Sequence, residues 1–226
     1  MCGRFVSTIP PAALAGYLGV DEIRTEALDP SWNVAPTDPV YAVSESATGQ
    51  RLLGTYRWGL VPSWARDPSI ASRRINARAE TLETKFGQPF ERRRCLLPAD
   101  GFYEWERRRE GTKQAWFIRR ADGAPMVFAA LWDIWRSEDA GDVLRTCAIV
   151  TTRANSLLAP VHDRMPAVLG PADWDEWLER QRSDTASLRR LLEPADERQF
   201  EMFEVSSRVN SVRNNGGYLV APLNPR

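Results

Sequence analysis

Seven runs rich in Val, Ile, Phe, Tyr, Trp and Thr recur along the chain, at 39–45, 51–59, 101–108, 114–120, 125–135, 143–153 and 199–206. Gly, Pro and Asp bound them, so each reads as a strand. Turn signals such as Ala121-Asp122-Gly123 suggest antiparallel hairpins. Helical patterns are fewer. One spans 10–19, opening on prolines and stopping at Gly19, and a second spans 77–86. A third, at 170–181, begins with a proline and an acidic first turn; a fourth, at 184–194, has an Asp N-cap and stops at Pro194. The expected fold is therefore α+β: a curled or barrel-like, mostly antiparallel sheet with peripheral helices. No repeat, low-complexity tract or linker divides the sequence, so residues 1–226 read as a single domain.

With 43% apolar residues and nine Trp the chain can bury a sizeable core. No apolar run approaches the roughly 18–20 residues of a membrane span, and the N-terminus lacks the pattern of a signal peptide. A cytoplasmic monomer is the expectation. Cys2, Cys95 and Cys147 lie far apart without a C-x-x-C pair, and His162 is the sole histidine. That argues against a disulfide scaffold and a structural zinc site, so neither metal nor cofactor is expected. Cys95 and Cys147 sit in apolar runs and read as core. The net charge of zero argues against a protein that coats nucleic acid wholesale. Of its 30 basic residues, however, only Lys85 and Lys113 are lysines. The arginine fork suits phosphate, although a bias in composition explains the count equally well.

The opening MCGRF places cysteine directly after the initiator methionine. Removal of Met1 would give Cys2 a free α-amine beside its thiol. Three further stretches resist a packing explanation: RINARAET at 74–81, PADGFYEWE at 98–106 and VHDRMP at 161–166. Taken singly, each has a plain reading. A strand Glu such as Glu104 usually faces solvent, and a lone His such as His162 is usually just a satisfied residue. Asn76 and Arg78 can cap a turn and pair with a carboxylate. Trp58 and Trp64 in WGLVPSW read most simply as core.

The conjunction reads differently. MCGRF, WNVAPT (32–37), WGLVPSW (58–64), INARAET (75–81), LPADGFYEW (97–105), VHDRMP (161–166) and VSSRVNSVRNNG (205–216), in this order, resemble the SRAP family of abasic-site processing proteins. The resemblance covers essentially the whole chain. It implies a protein that shields abasic sites in single-stranded DNA, including single-strand/double-strand junctions, by becoming covalently attached to them, and one that is nucleoid-associated when bound. It places the nucleophile at Cys2, the acid/base at Glu104, and the family His and Asn at His162 and Asn76. DNA contacts fall on Arg4, Arg78, Arg164, Asn33, Pro36, Trp64, Ser207 and Arg208. Self-processing and strand-lyase activities have also been proposed for the family. Ala65 departs from relatives that carry a second aromatic after Trp64.

The chemistry explains the cysteine. An amine and the open aldehyde of an abasic sugar give an imine, and a thiol one carbon away can close onto it as a five-membered thiazolidine. The α-amine, with a reference pKa of about 7.7–8.0, is partly neutral at physiological pH. A nearby cation, with Arg4 the candidate, is expected to lower the thiol pKa. Two alternatives remain. An N-terminal-nucleophile amidohydrolase of the glutaminase type also begins Met-Cys-Gly, but its expected paired signatures between Cys2 and about residue 100 are missing. A noncovalent single-strand binder would use the Arg and Trp residues but leaves Cys2 unexplained.

Overall fold

A computed structural model of the chain describes residues 2–109, 111–137, 141–182 and 184–224. Among these residues thirteen strands carry the architecture: β1 (Arg4–Ser7), β2 (Glu22–Ile23), β3 (Ser31–Val34), β4 (Pro39–Glu45), β5 (Arg51–Trp58), β6 (Asn76–Arg78) and β7 (Arg94–Ala99), then β8 (Gly101–Arg107), β9 (Lys113–Arg120), β10 (Met126–Arg136), β11 (Val143–Arg153), β12 (Arg164–Pro166) and β13 (Phe200–Glu204). The helices are α1 (Pro11–Leu18), α2 (Leu82–Arg92), α3 (Trp174–Leu178) and α4 (Thr185–Leu188).

Strands β11, β10, β7, β4 and β5 pair in that order, and a parallel pairing of β5 with β11 (Cys147 opposite Trp58) closes them into a five-stranded barrel. The remaining neighbours in the ring are antiparallel. Strands β4, β7, β10 and β11 are buried on both faces over most of their length, and this is why their sequences run largely apolar, whereas β5 alternates, with Thr55 and Arg57 half-buried between buried neighbours. Val40, Ala42, Tyr56, Cys95, Leu97, Phe128, Ala130, Cys147 and Ile149 fall in one cluster. Their neighbours Tyr41, Val43, Leu96, Val127, Ala129, Ala148 and Val150 fall in another, together with Leu14 of α1, Phe90 of α2 and Trp177 of α3. Period-two alternation thus assigns one set to the barrel interior and the other to the helix-covered outside.

A second sheet, ordered β13-β9-β8-β1-β3, meets the barrel at the end where β5 finishes. Phe5 packs edge-on to Trp58 with ring centroids 4.9 Å apart, and Phe102 meets Phe128 at 6.1 Å. The chain passes from β7 into this sheet at Gly101. A Cβ there would lie 2.5 Å from the Ile118 carbonyl oxygen, so only glycine fits the corner.

The expected α+β fold with a barrel-like sheet and peripheral helices is what forms. Three of the four helices differ from the sequence reading. The 77–86 helix starts later: Asn76–Arg78 form β6, paired in parallel with β11, a 3₁₀ turn covers Ala79–Thr81, and only from Leu82 is the chain α-helical. The helices expected at 170–181 and 184–194 shorten to α3 and α4, each joined to a 3₁₀ turn. Trp58 is fully buried, but Trp64, read with it as core, is 73% exposed. No helix among the described residues is long and apolar enough to cross a membrane.

Candidate active site

Strand β1 pairs with β8 through Arg4 opposite Tyr103 and Phe5 opposite Phe102, which brings the start of the chain alongside Glu104. Cys2 is fully buried in the interior cluster with Phe5, Trp58, Phe128, Leu158 and Met165. Its carbonyl accepts a 2.9 Å hydrogen bond from Asn76 Nδ2. Asn76 reaches it because β6 lies beside β11, Asn76 opposite Ile149.

Glu104 is only 4% exposed, and its Oε1 accepts the Trp105 amide at 3.3 Å. The plain reading of a solvent-facing strand Glu fails. Burial pushes the Cys2 thiol pKa well above its ordinary value, and the negative charge of Glu104 adds to the shift. Arg4 opposes it only through its backbone N–H. Its guanidinium faces elsewhere, donating to Asn33 Oδ1 at 2.8 Å and to the Val209 carbonyl at 3.0 Å. The lowering expected from the Arg4 guanidinium is therefore absent, and burial with Glu104 outweighs the opposing charge of the chain's N-terminus, so the thiol pKa stays raised.

His162 stands on the turn between β11 and β12, its amide donating to the carbonyl of Leu158, a member of the Cys2 cluster. Its Nδ1 lies 3.0 Å from the Arg164 amide nitrogen and 2.9 Å from Asp163 Oδ1. The first contact uses Nδ1 as an acceptor and the second uses it as a donor, so Nδ1 serves one of the two partners at a time.

Arg164 makes a two-pronged pair with Glu80, at 2.5 and 2.9 Å, and also donates to the Thr151 carbonyl. The pair holds the Glu80 carboxyl below its ordinary pKa. Arg78 is exposed and makes no side-chain hydrogen bond or ion pair among the described residues.

Of the other expected DNA contacts, Asn33 is buried at 4% exposure, and its Nδ2 lies within 3.3 Å of the carbonyls of Val209, Ser211 and Asn214. Its side chain is committed to fastening the 205–216 segment against β3. Ser207 and Arg208 are exposed on the 3₁₀ turn of that fastened segment, Arg208 over the Tyr218 ring. Pro36 is half-buried in the turn between β3 and β4.

Thr151 was not anticipated. It is fully buried, opposite Arg78 on one side and Pro166 on the other. Its hydroxyl, Asn76 Oδ1 and Arg164 Nε are buried without a hydrogen-bond partner among the described residues. Parity along β11 puts Thr151 on the same face as Cys147 and Ile149, and that alternation is the signal that could have found it. Among the described residues no cluster of His, Cys, Asp and Glu could hold a metal.

Comparison with known proteins gives a consistent result. A family model described as SOS response associated peptidase (SRAP) matches residues 1–212. The abasic site processing protein YoqW of Bacillus subtilis is 39% identical over 223 residues, covering 97% of this chain and 99% of that protein. Escherichia coli YedK, also an abasic site processing protein, is 34% identical over 99% of this chain and its own full length. A crystal structure of a Bacteroides thetaiotaomicron protein superposes with a TM-score of 0.87 at 24% identity, over 99% of this chain and 100% of that one.

Proposed function

From the premise that the chain belongs to the SRAP family of abasic site processing proteins, we propose that it captures abasic sites in single-stranded DNA as a thiazolidine on Cys2. The observation that carries this reading is the anchoring of Cys2 between Asn76, bonded to its carbonyl, and the buried Glu104.

Once Met1 is removed, the neutral α-amine adds to C1′ of the open sugar and water leaves, giving an imine. The Cys2 S–H then adds across the C=N bond: sulfur bonds to carbon, and the thiol proton passes to nitrogen. The net change is loss of one water. Because burial and Glu104 raise the thiol pKa, ring closure needs a base at that moment, and the Glu104 carboxylate relays the proton from sulfur to nitrogen. His162 exchanges a proton at the sugar oxygen, its ring oriented by the Nδ1 contacts to the Arg164 amide and Asp163. The unspent Thr151 hydroxyl, Asn76 Oδ1 and Arg164 Nε offer polar contacts to the sugar and its phosphate, desolvated in advance. Arg78 adds an exposed guanidinium for the backbone, and Trp64 an exposed ring for stacking.

The test is incubation with a single-stranded oligonucleotide carrying one abasic site, followed by a denaturing gel. A heat-stable shifted band that is absent in Cys2→Ala supports the reading. Glutamine hydrolysis without a shifted band would support the amidohydrolase alternative instead.

A further inference from the structure

Strand β11 runs the length of the barrel, with Thr151 toward the Cys2 end and Arg145 toward the other. Parity puts Arg145 on the face that carries Cys147 and Ile149, so an exposed arginine stands at the far mouth of the barrel. Gly54 of β5 makes room for it. A Cβ at Gly54 would lie 4.0 Å from Arg145 Nη1 and 3.5 Å from the Tyr56 ring.

A cavity of about 240 Å³ opens at this mouth, lined by Ser44, Gly54, Tyr56, Trp132, Arg145 and Arg180 among others. Barrel mouths are frequent ligand sites, in which apolar walls surround a few converging polar groups. Here the wall is aromatic: Trp132 meets Tyr56 edge-on with ring centroids 6.0 Å apart. At the floor the buried Ser44 and Tyr56 hydroxyls lie 2.9 Å from each other. Whichever of them donates, the other keeps its own proton for a third partner. Burial raises the Tyr56 pKa and the Arg145 charge offsets only part of the rise, so the phenol stays a proton donor.

The guanidiniums of Arg145 and Arg180 make no hydrogen bond or ion pair among the described residues. Arg24, a third cation on the lining, is paired with Glu22 at 2.7 Å. Glu45 is the one acid on the described lining, and its Oε1 already accepts the Arg180 amide at 3.1 Å. Two unspent guanidinium forks and an unspent hydroxyl proton complement an oxyanion, phosphate above all. The aromatic wall calls for a flat organic group attached to it.

We propose that the far mouth of the barrel binds a mononucleotide, its phosphate held by Arg145 and Arg180 and its base against Trp132. The fully buried Trp58, Cys95 and Cys147 fill the barrel between the two mouths, so this site stands apart from Cys2 and does not rest on the capture reading.

The experiment is calorimetric titration of the intact chain with deoxyadenosine monophosphate, deoxyadenosine and inorganic phosphate. The monophosphate should bind, and each of the other two should bind at least about tenfold more weakly. R145Q removes a charge-assisted contact and should weaken the monophosphate by at least about tenfold. G54V keeps both arginines, and its Cβ meets its neighbours at ordinary contact distance; by filling the floor it should abolish binding. No binding of millimolar monophosphate by the wild-type chain overturns the proposal. Binding that survives both R145Q and G54V lies elsewhere and overturns it too. Deoxyadenosine bound as tightly as the monophosphate overturns the phosphate contact, and inorganic phosphate bound as tightly overturns the role of the aromatic wall. If R145Q does not fold, G54V decides.

Discussion

Asn76 is the residue through which the fold holds its nucleophile, and replacing it with alanine gives a calculable loss. The Asn76 Nδ2 to Cys2 carbonyl bond is 2.9 Å long and partly buried. Its removal leaves the Cys2 carbonyl unsatisfied in a water-poor site, at a cost of about 1–3 kcal/mol. The same cost applied to the alignment of the N-terminus slows capture by about five- to 150-fold. Single-turnover crosslinking under saturating abasic DNA measures that rate directly, and denaturant melts measure the accompanying stability loss. Asn76→Asp should be slower still, since a carboxylate in place of the amide faces a carbonyl oxygen and cannot donate to it. Wild-type capture rates in Asn76→Ala would refute the view that this hydrogen bond positions Cys2.

Other perturbations follow from the same geometry. The Cys95 and Cys147 thiols are raised in pKa by burial, so folding favours their protonated forms. Their stabilising contribution is therefore complete below the unfolded value of about 8.5 and declines as pH rises above it, by up to about 1.4 kcal/mol per pH unit per thiol. Denaturant melts from neutral to alkaline pH should show this decline, and Cys147→Ala should flatten it; an unaltered slope contradicts the burial argument. Arg94, 2% exposed, donates to the carbonyls of Phe90, Glu91, Trp177 and Glu179. Arg94→Leu strands them all and should cost at least about 3 kcal/mol in a melt; a cost under about 1 kcal/mol would mean that the carbonyls find other partners. Glu80→Gln removes the carboxylate that competes for Arg164 and should strengthen single-stranded DNA binding, steepening the salt slope by up to about 0.7. Weaker binding in that variant would mean that the Glu80 pair holds Arg164 in place for the DNA.

The barrel was legible where local pattern and tertiary pairing agree. β4 and β11 coincide with the runs read at 39–45 and 143–153, because strands buried on both faces announce themselves by unbroken apolar sequence. β6 was hidden: three residues long, it exists only through its parallel pairing with β11, and the Ala- and Glu-rich sequence after it carries a helical signal that pulled the boundary back. β7 was hidden in another way, since Pro98 interrupts a run that is buried at all six positions. In the site, Cys2 was conspicuous by position, but nothing local announced the burial of Glu104. The Arg164–Glu80 pair spans 84 residues, so the sequence offered Arg164 as a free phosphate ligand. Asn33 misled similarly, its amide being spent on a segment nearly 180 residues away.

The central claim concerns which atoms of Cys2 bond to the sugar, and intact-mass analysis of the crosslinked product tests it most directly. The thiazolidine account predicts the mass of the chain lacking Met1 plus that of the abasic oligonucleotide, less one water, with no mass change on borohydride treatment. Cys2→Ser should give only an imine that borohydride traps. A stable adduct that retains Met1, or the same heat-stable adduct from Cys2→Ala, would place the bond on another residue and contradict the account.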